Sequence, residues 1–340
     1  MTAYRAAPRD PLLGAWLLAV CVFLVAMILV GGMTRLTGSG LSITEWKPVT
    51  GAVPPLSAAD WADAFAKYRS TTQFREVNPD IGLGDFQVLY WWEWGHRQLG
   101  RWIGVLFAVG FIGFWATGRL TGRFWACVLL LLLGALQGAI GWWMVQSGLD
   151  GRVAVAPVRL ATHLGLAFVI LALAWRLALS AFGWPRGSGR LGAPALDWIF
   201  LALLFAQILL GAITAGSGAG RAFSDWPTIG NEWFPSGYHA LSSFWENVTA
   251  NPAAIQFNHR LAGYLVWALA AAMAVVAFIR GAGPPRTLAF VVFAFACLQV
   301  VLGIGAVVMG APLSMNLIHQ GGAIALWLGA GALLRAAHWR

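Results

Sequence analysis

Eight runs of mostly apolar residues limit what this chain can fold into more than any other feature. They cover roughly 12–33, 92–117, 124–146, 157–180, 196–216, 257–279, 286–309 and 313–335. A helix needs about 20 such residues to cross a bilayer, and a barrel strand only about 10. None of the runs alternates polar and apolar residues, so helices are expected rather than strands. Apolar residues make up 59% of the chain and charged residues 10%. A water-soluble body usually carries about 25% charged residues, so most of this surface must face something other than water. The chain reads as an all-α integral membrane protein.

An even number of spans puts both termini on one side. The terminal segments and the loops at 118–123, 183–195 and 281–285, with the adjoining helix ends, hold eleven arginines. Only Asp10 and Asp197 oppose them, which accounts for the whole net charge of +9. By the positive-inside rule that side is cytoplasmic. The long segments 34–91 and 217–256 then lie outside. Within the first of these, 58–68 follows Ser57 as a cap and has the pattern of a short amphipathic helix on the outer surface. Basic residues do not interleave with aromatics, so no nucleic-acid surface is expected. The first run is too long for a cleavable signal and no Arg- and Ser-rich transit segment precedes it, which points to a multi-pass protein of a bacterial inner membrane. Cys21, Cys127 and Cys297 each sit inside an apolar run without a CxxC partner and read as small hydrophobes.

The chain also repeats itself. Thr34 and Thr214, Gly40 and Gly220, Glu45 and Asp225, and Trp46 and Trp226 all keep one offset of 180. The second span opens on Gly95-His96-Arg97 and the sixth on Asn258-His259-Arg260. His163-Leu164-Gly165 in the fourth answers His319-Gln320-Gly321 in the eighth, and Gln-x-x-x-Gly recurs at Gln137, Gln207 and Gln299. The expected architecture is eight transmembrane helices as two tandem four-helix bundles, residues 1–190 and 191–340. Because each half has an even number of spans, a pseudo-two-fold axis along the membrane normal would relate them.

Of six histidines, His338 reads as a solvated tail residue and His239 as a loop residue without a counterpart in the first half. The other four form two matched pairs, all near the outer side. Two imidazoles from facing helices of a bundle can axially ligate a haem iron. Zinc would want further ligands that do not recur in both halves. Arg97 and Arg260 follow the first histidine of each pair and suit either haem propionates or lipid headgroups. Gly141, Gly165, Gly303 and Gly321 would let backbones approach a flat macrocycle, or simply pack helices. The halves differ at one place: Glu93 stands three residues before His96, on the same helical face, where the second half has Gln256. That asymmetry points to a reacting, substrate-type site in the first half and a cofactor-type site in the second. An ion pair from Glu93 to Arg97 or Arg101 is the plainer alternative.

The stretch Gly31-Gly32-Met33-Thr34-Arg35-Leu36-Thr37-Gly38-Ser39-Gly40-Leu41-Ser42 with Glu45-Trp46, together with Glu93-x-x-His96-Arg97 and Asn258-His259-Arg260-Leu261, resembles the haem A synthase family of mitochondrial Cox15 proteins and their bacterial relatives. The resemblance covers nearly the whole chain. It implies oxidation of the ring methyl of haem O to the formyl group of haem A, by two hydroxylations and loss of water, for terminal oxidase assembly. It further implies that His259 and His319 hold a resident haem b, that His96 and His163 hold the substrate haem, and that Glu93 is catalytic. Haem O synthase (the protohaem farnesyltransferase) would supply the substrate, an electron donor would be needed, and a homo-oligomer is left open. Some relatives carry a cysteine pair in an outer loop; this chain has none there.

Two rivals remain at this point. A di-haem electron-transfer subunit of the cytochrome b type would hold two permanent haems, and has no need of a carboxylate at one site only. A transporter with parallel repeats should put polar or broken-helix features near mid-membrane, whereas the ionisable residues here gather at the outer surface.

Overall fold

The computed structural model describes residues 9–184 and 194–338. Eleven α-helices follow in order: α1 Pro11–Leu36, α2 Ala58–Arg69, α3 Thr72–Val77, α4 Leu83–Ala116, α5 Phe124–Leu149, α6 Pro157–Ala181, α7 Pro194–Ser217, α8 Phe244–Ala250, α9 Pro252–Arg280, α10 Gly283–Val308 and α11 Leu313–His338. All but α2, α3 and α8 are long and apolar enough to cross a membrane, and no strand occurs among the described residues. Arg5, Arg186, Arg190, Arg340, the expected division at 190 and the side chain of His338 lie outside what is described.

Helix starts follow from capping chemistry. Asp10 accepts from Leu13 N at 3.0 Å ahead of Pro11, and Asn251 accepts from Ala253 N at 3.0 Å ahead of Pro252. In each case a side chain satisfies an orphan donor and proline sits where no donor is needed. Ser57 caps α2 in a reciprocal box with Asp60, as the sequence suggested.

Two span starts differ from expectation, that of α9 by five residues, at Pro252 instead of 257, and that of α4 by more. The hydropathy pattern starts the second span at 92, but α4 begins at Leu83. The extra turns project beyond the apolar run because they have tertiary partners. Phe86 and Tyr90 bury against Trp61, Phe65 and Tyr68 of α2, with ring centroids 5.0 Å apart for Trp61–Tyr90 and for Phe65–Phe86. The amphipathic helix thus lays its aromatic face on α4. His96 consequently sits well inside its helix rather than at the start.

Helix α1 packs on α4 and α6, and α5 packs on the same two. Likewise α7 packs on α9 and α11, and α10 on the same two. Contacts of α6 with α7, and of α11 with α1 and α6, join the sets. A continuous core runs through the middle, built on residues such as Leu17, Phe168, Phe200 and Trp327, while Val109, Ile112, Phe278 and Val301 face outward. Lipid is as apolar as these side chains, so close packing and interhelical hydrogen bonds carry the cohesion, each bond contributing roughly 0.6 kcal/mol. Trp327 Nε1 donates to Phe168 O and Trp175 Nε1 to Leu328 O, both at 3.0 Å. Gln320 Nε2 donates to Ile28 O at 2.7 Å. Trp16 lies over Gly110, where any Cβ would collide with its indole. Arg35, at the end of α1, donates to Ala215 O at 3.2 Å and Gly216 O at 2.9 Å. It thereby adds a donor to carbonyls in the last turn of α7, of which Ala215 O also accepts from Gly218 N.

Candidate functional site

The four histidines stand on diagonally placed helices. His96 on α4 and His163 on α6 come from helices that both flank α1 and α5 but barely touch each other. His259 on α9 and His319 on α11 are related in the same way across α7 and α10. All four rings are half-buried, so each sits in the helix wall and keeps an open edge.

A glycine on the neighbouring helix makes room for each ring. A Cβ built on Gly141 would stand 2.9 Å from His163 Cε1, one on Gly211 3.2 Å from His259 Cε1, and one on Gly303 3.3 Å from His319 Cε1. At His96 it is Nε2 that faces the glycine, 3.0 Å from a Cβ on Gly31. Gly165 and Gly321, the other candidates from the sequence, lie against Leu209 and Leu29 instead.

None of the four rings donates or accepts a hydrogen bond among the described residues, and the Nδ1 atoms of His163, His259 and His319 are buried without a partner. Buried imidazole nitrogens are normally satisfied, and leaving one unmade costs about 1–3 kcal/mol. Two imidazoles carried by diagonally placed helices, with no protein group competing for them, fit the ligand set of a haem. The donor chemistry and the spacing by separate helices both agree with it. Gln137 also belongs to this wall, donating from Nε2 to His163 O at 3.0 Å.

Above the first pair, Glu93 is buried (2% exposed) and fully engaged. Its Oε2 accepts from Ser42 Oγ at 2.7 Å and Ile43 N at 2.8 Å. Its Oε1 accepts from Arg97 Nη2 at 2.6 Å and Nε at 3.2 Å. Arg97 in turn donates to Ile43 O and Glu45 O, and Arg101 one turn further donates to Pro48 O at 2.8 Å and Lys47 O at 2.9 Å. Segment 42–48 is therefore a strap pinned over α4 by three side chains. Lys67 and then Lys47, donating to Glu45, hold that carboxyl below its ordinary range. This tie is present at neutral pH and is lost only as the pH falls through that lowered value. The strap borders a cavity of about 390 Å³ that also touches Tyr90, Arg97 and Arg101.

The second pair has a matching cover with different polarity. Arg260 Nη2 donates to Gln256 Oε1 at 2.5 Å and Nη1 to Thr228 O at 2.7 Å, while Nε is buried and unpaired. Gln256 uses its amide to donate to Ala219 O and Phe223 O, both at 3.0 Å. Where Glu93 only accepts, Gln256 both accepts and donates. His239 stands apart, exposed and edge-on to Tyr238 at 4.8 Å.

The sequence reading missed Ser42, the Arg101 clasp, and the glycines at 31 and 211. The 180 offset from Gly31 to Gly211 was available as a signal. Backbone carbonyls as acceptors leave no signature in a sequence.

Comparison with known proteins agrees over nearly the full length. The COX15-CtaA family, described as a cytochrome oxidase assembly protein, matches residues 14–330. A heme A synthase of Paracoccus denitrificans is 50% identical over 337 residues, covering 95% of this chain and 86% of its own. One of Maricaulis maris is 44% identical, covering 96% of each, and one of Caulobacter vibrioides is 42% identical over 100% of this chain and 99% of its own.

Proposed function

The chain belongs to the COX15-CtaA family of cytochrome oxidase assembly proteins, and we propose on that footing that it works as a haem A synthase, the activity for which its relatives are named. It is an oxidoreductase of the membrane that converts haem O to haem A, the ring methyl becoming a formyl group. The observation that carries the reading on this chain's own residues is the pair of histidine sites whose nitrogens no protein group uses.

In this reading the chain is two four-helix units related by a pseudo-two-fold axis, and their division of labour follows the one chemical difference between them. His259 and His319 hold a resident haem b, with Arg260 beside it and an unspent Nε to offer a propionate. Bound haem b supplies one-electron redox chemistry. His96 and His163 hold the substrate haem. Arg97 spends four of its five N–H donors on Glu93 and the strap, so its main work is to fix the strap and the carboxylate rather than to grip a propionate. Glu93 is the one carboxylate a helical turn from a paired histidine, and it takes the proton-handling role at Oε1 or Oε2. Haem O arrives from the farnesyltransferase that makes it.

The test is synthesis in a host that makes haem O and no haem A. Expression of this chain should yield haem A, identified by mass, together with bound haem b in the purified protein. Two permanent haems b and no haem A would instead establish the electron-conduit reading.

The orientation is proposed from the arginine asymmetry, with the strap and both histidine pairs toward the outside and the termini in the cytoplasm. A cysteine placed at Ser242 should react with an impermeant thiol reagent in intact cells, and one at Thr121 should not. Labelling at Thr121 alone would reverse the assignment.

A further inference from the structure

We propose that Ser42 is a positioning residue for Glu93, and that this pair marks which of the two histidine sites reacts. The proposal rests on the reading of Glu93 as the catalytic residue. Ser42 is almost completely buried, 2% exposed, and its hydroxyl lies 2.7 Å from Glu93 Oε2, nearer than its other acceptor, Leu89 O, at 3.3 Å. With Ile43 N on the same oxygen and Arg97 on the other, each carboxylate oxygen is held by two donors, and rotation about the last side-chain torsion would break all four.

The second half shows what the hydroxyl is not for. At the offset of 180 that relates the two straps, Ser42 corresponds to Ala222, and Ile43 to Phe223. There Gln256 fastens the segment by donating to Ala219 O and Phe223 O, and Arg260 by donating to Thr228 O. Strap attachment therefore needs no hydroxyl at this position. The hydroxyl occurs where the partner is a carboxylate, which can only accept, and is absent where it is an amide, which supplies donors of its own to the segment. What remains for Ser42 is to fix the oxygen of Glu93 relative to the substrate edge, the supporting contact that holds a reacting group in its productive geometry.

The experiment compares Ser42→Ala, Ser42→Thr and Glu93→Gln in the purified full-length protein, with haem O as substrate. Ser42→Ala should lower kcat about tenfold, leave KM for haem O unchanged, and keep the haem b spectrum, since the second site is untouched. Ser42→Thr, which restores the hydroxyl, should recover most of the rate. A rise in KM at unchanged kcat would mean that Ser42 only holds the strap closed, and overturns the proposal. So does wild-type turnover in Ser42→Ala alongside an impaired Glu93→Gln. Wild-type turnover in Glu93→Gln itself would bring down the underlying reading of the site, whatever Ser42→Ala does.

Discussion

Alanine at His259 or at His319 is expected to remove the haem b proposed for that pair from the purified protein, with loss of its low-spin absorption and of all haem O conversion. The effect is expected to be large because each variant removes one of the two imidazoles of that pair. No protein group bonds either ring among the described residues, and an iron left with one imidazole would lose its low-spin state and one of its two attachments to the helices. A graded variant separates ligation from general damage. Gly303→Ala would place a Cβ 3.3 Å from His319 Cε1, a crowding that a few tenths of an ångström of ring movement relieves. It should shift the haem b band and weaken retention without abolishing either. Unchanged low-spin spectra in both histidine variants would overturn the ligand assignment.

Glu93→Gln is expected to lower haem A formation at least about 100-fold, within the range for loss of a positioned proton-handling group, while haem b remains bound. Haem O, or the singly hydroxylated intermediate, should accumulate. The substitution preserves volume but not hydrogen bonding. A glutamine there has one acceptor oxygen for four donors, and its NH₂ must face either Arg97 or the Ser42–Ile43 pair. Each donor left unmatched costs about 1–3 kcal/mol, so the strap should also loosen, with faster hydrogen exchange at the Ile43 amide. Full conversion by this variant would reduce Glu93 to an anchor for the strap. Loss of all haem would assign it a structural role.

The sequence made the spans and the histidine pairs legible for the same reason: both depend on periodic or repeated residue types that local chemistry imposes. Hydropathy placed all eight spans, but began α4 nine residues late and α9 five residues late. The turns from Leu83 to Trp91 are held by aromatic packing against α2, a tertiary cause that no local window reports. The Glu93–Arg97 pair was legible from its i, i+4 spacing. Its further bonds to Ser42, Ile43 and Glu45 were not, because they join segments about 50 residues apart. Among 41 glycines, Gly141 and Gly303 were legible as close-approach positions, whereas Gly31 and Gly211 look like any others that let helices approach.

The contacts of α1 bear on how the chain is made. Arg35 caps the end of α7, and the Ile28 carbonyl and Gly32 surface are met by Gln320 of α11. The first span to leave the ribosome therefore waits in the bilayer with a charged guanidinium and an open face until the fifth and then the eighth arrive. A nascent chain halted before α11 would leave that seam open to whatever surveys the membrane for orphaned helices, and the exposure would end only once Leu313–His338 is made.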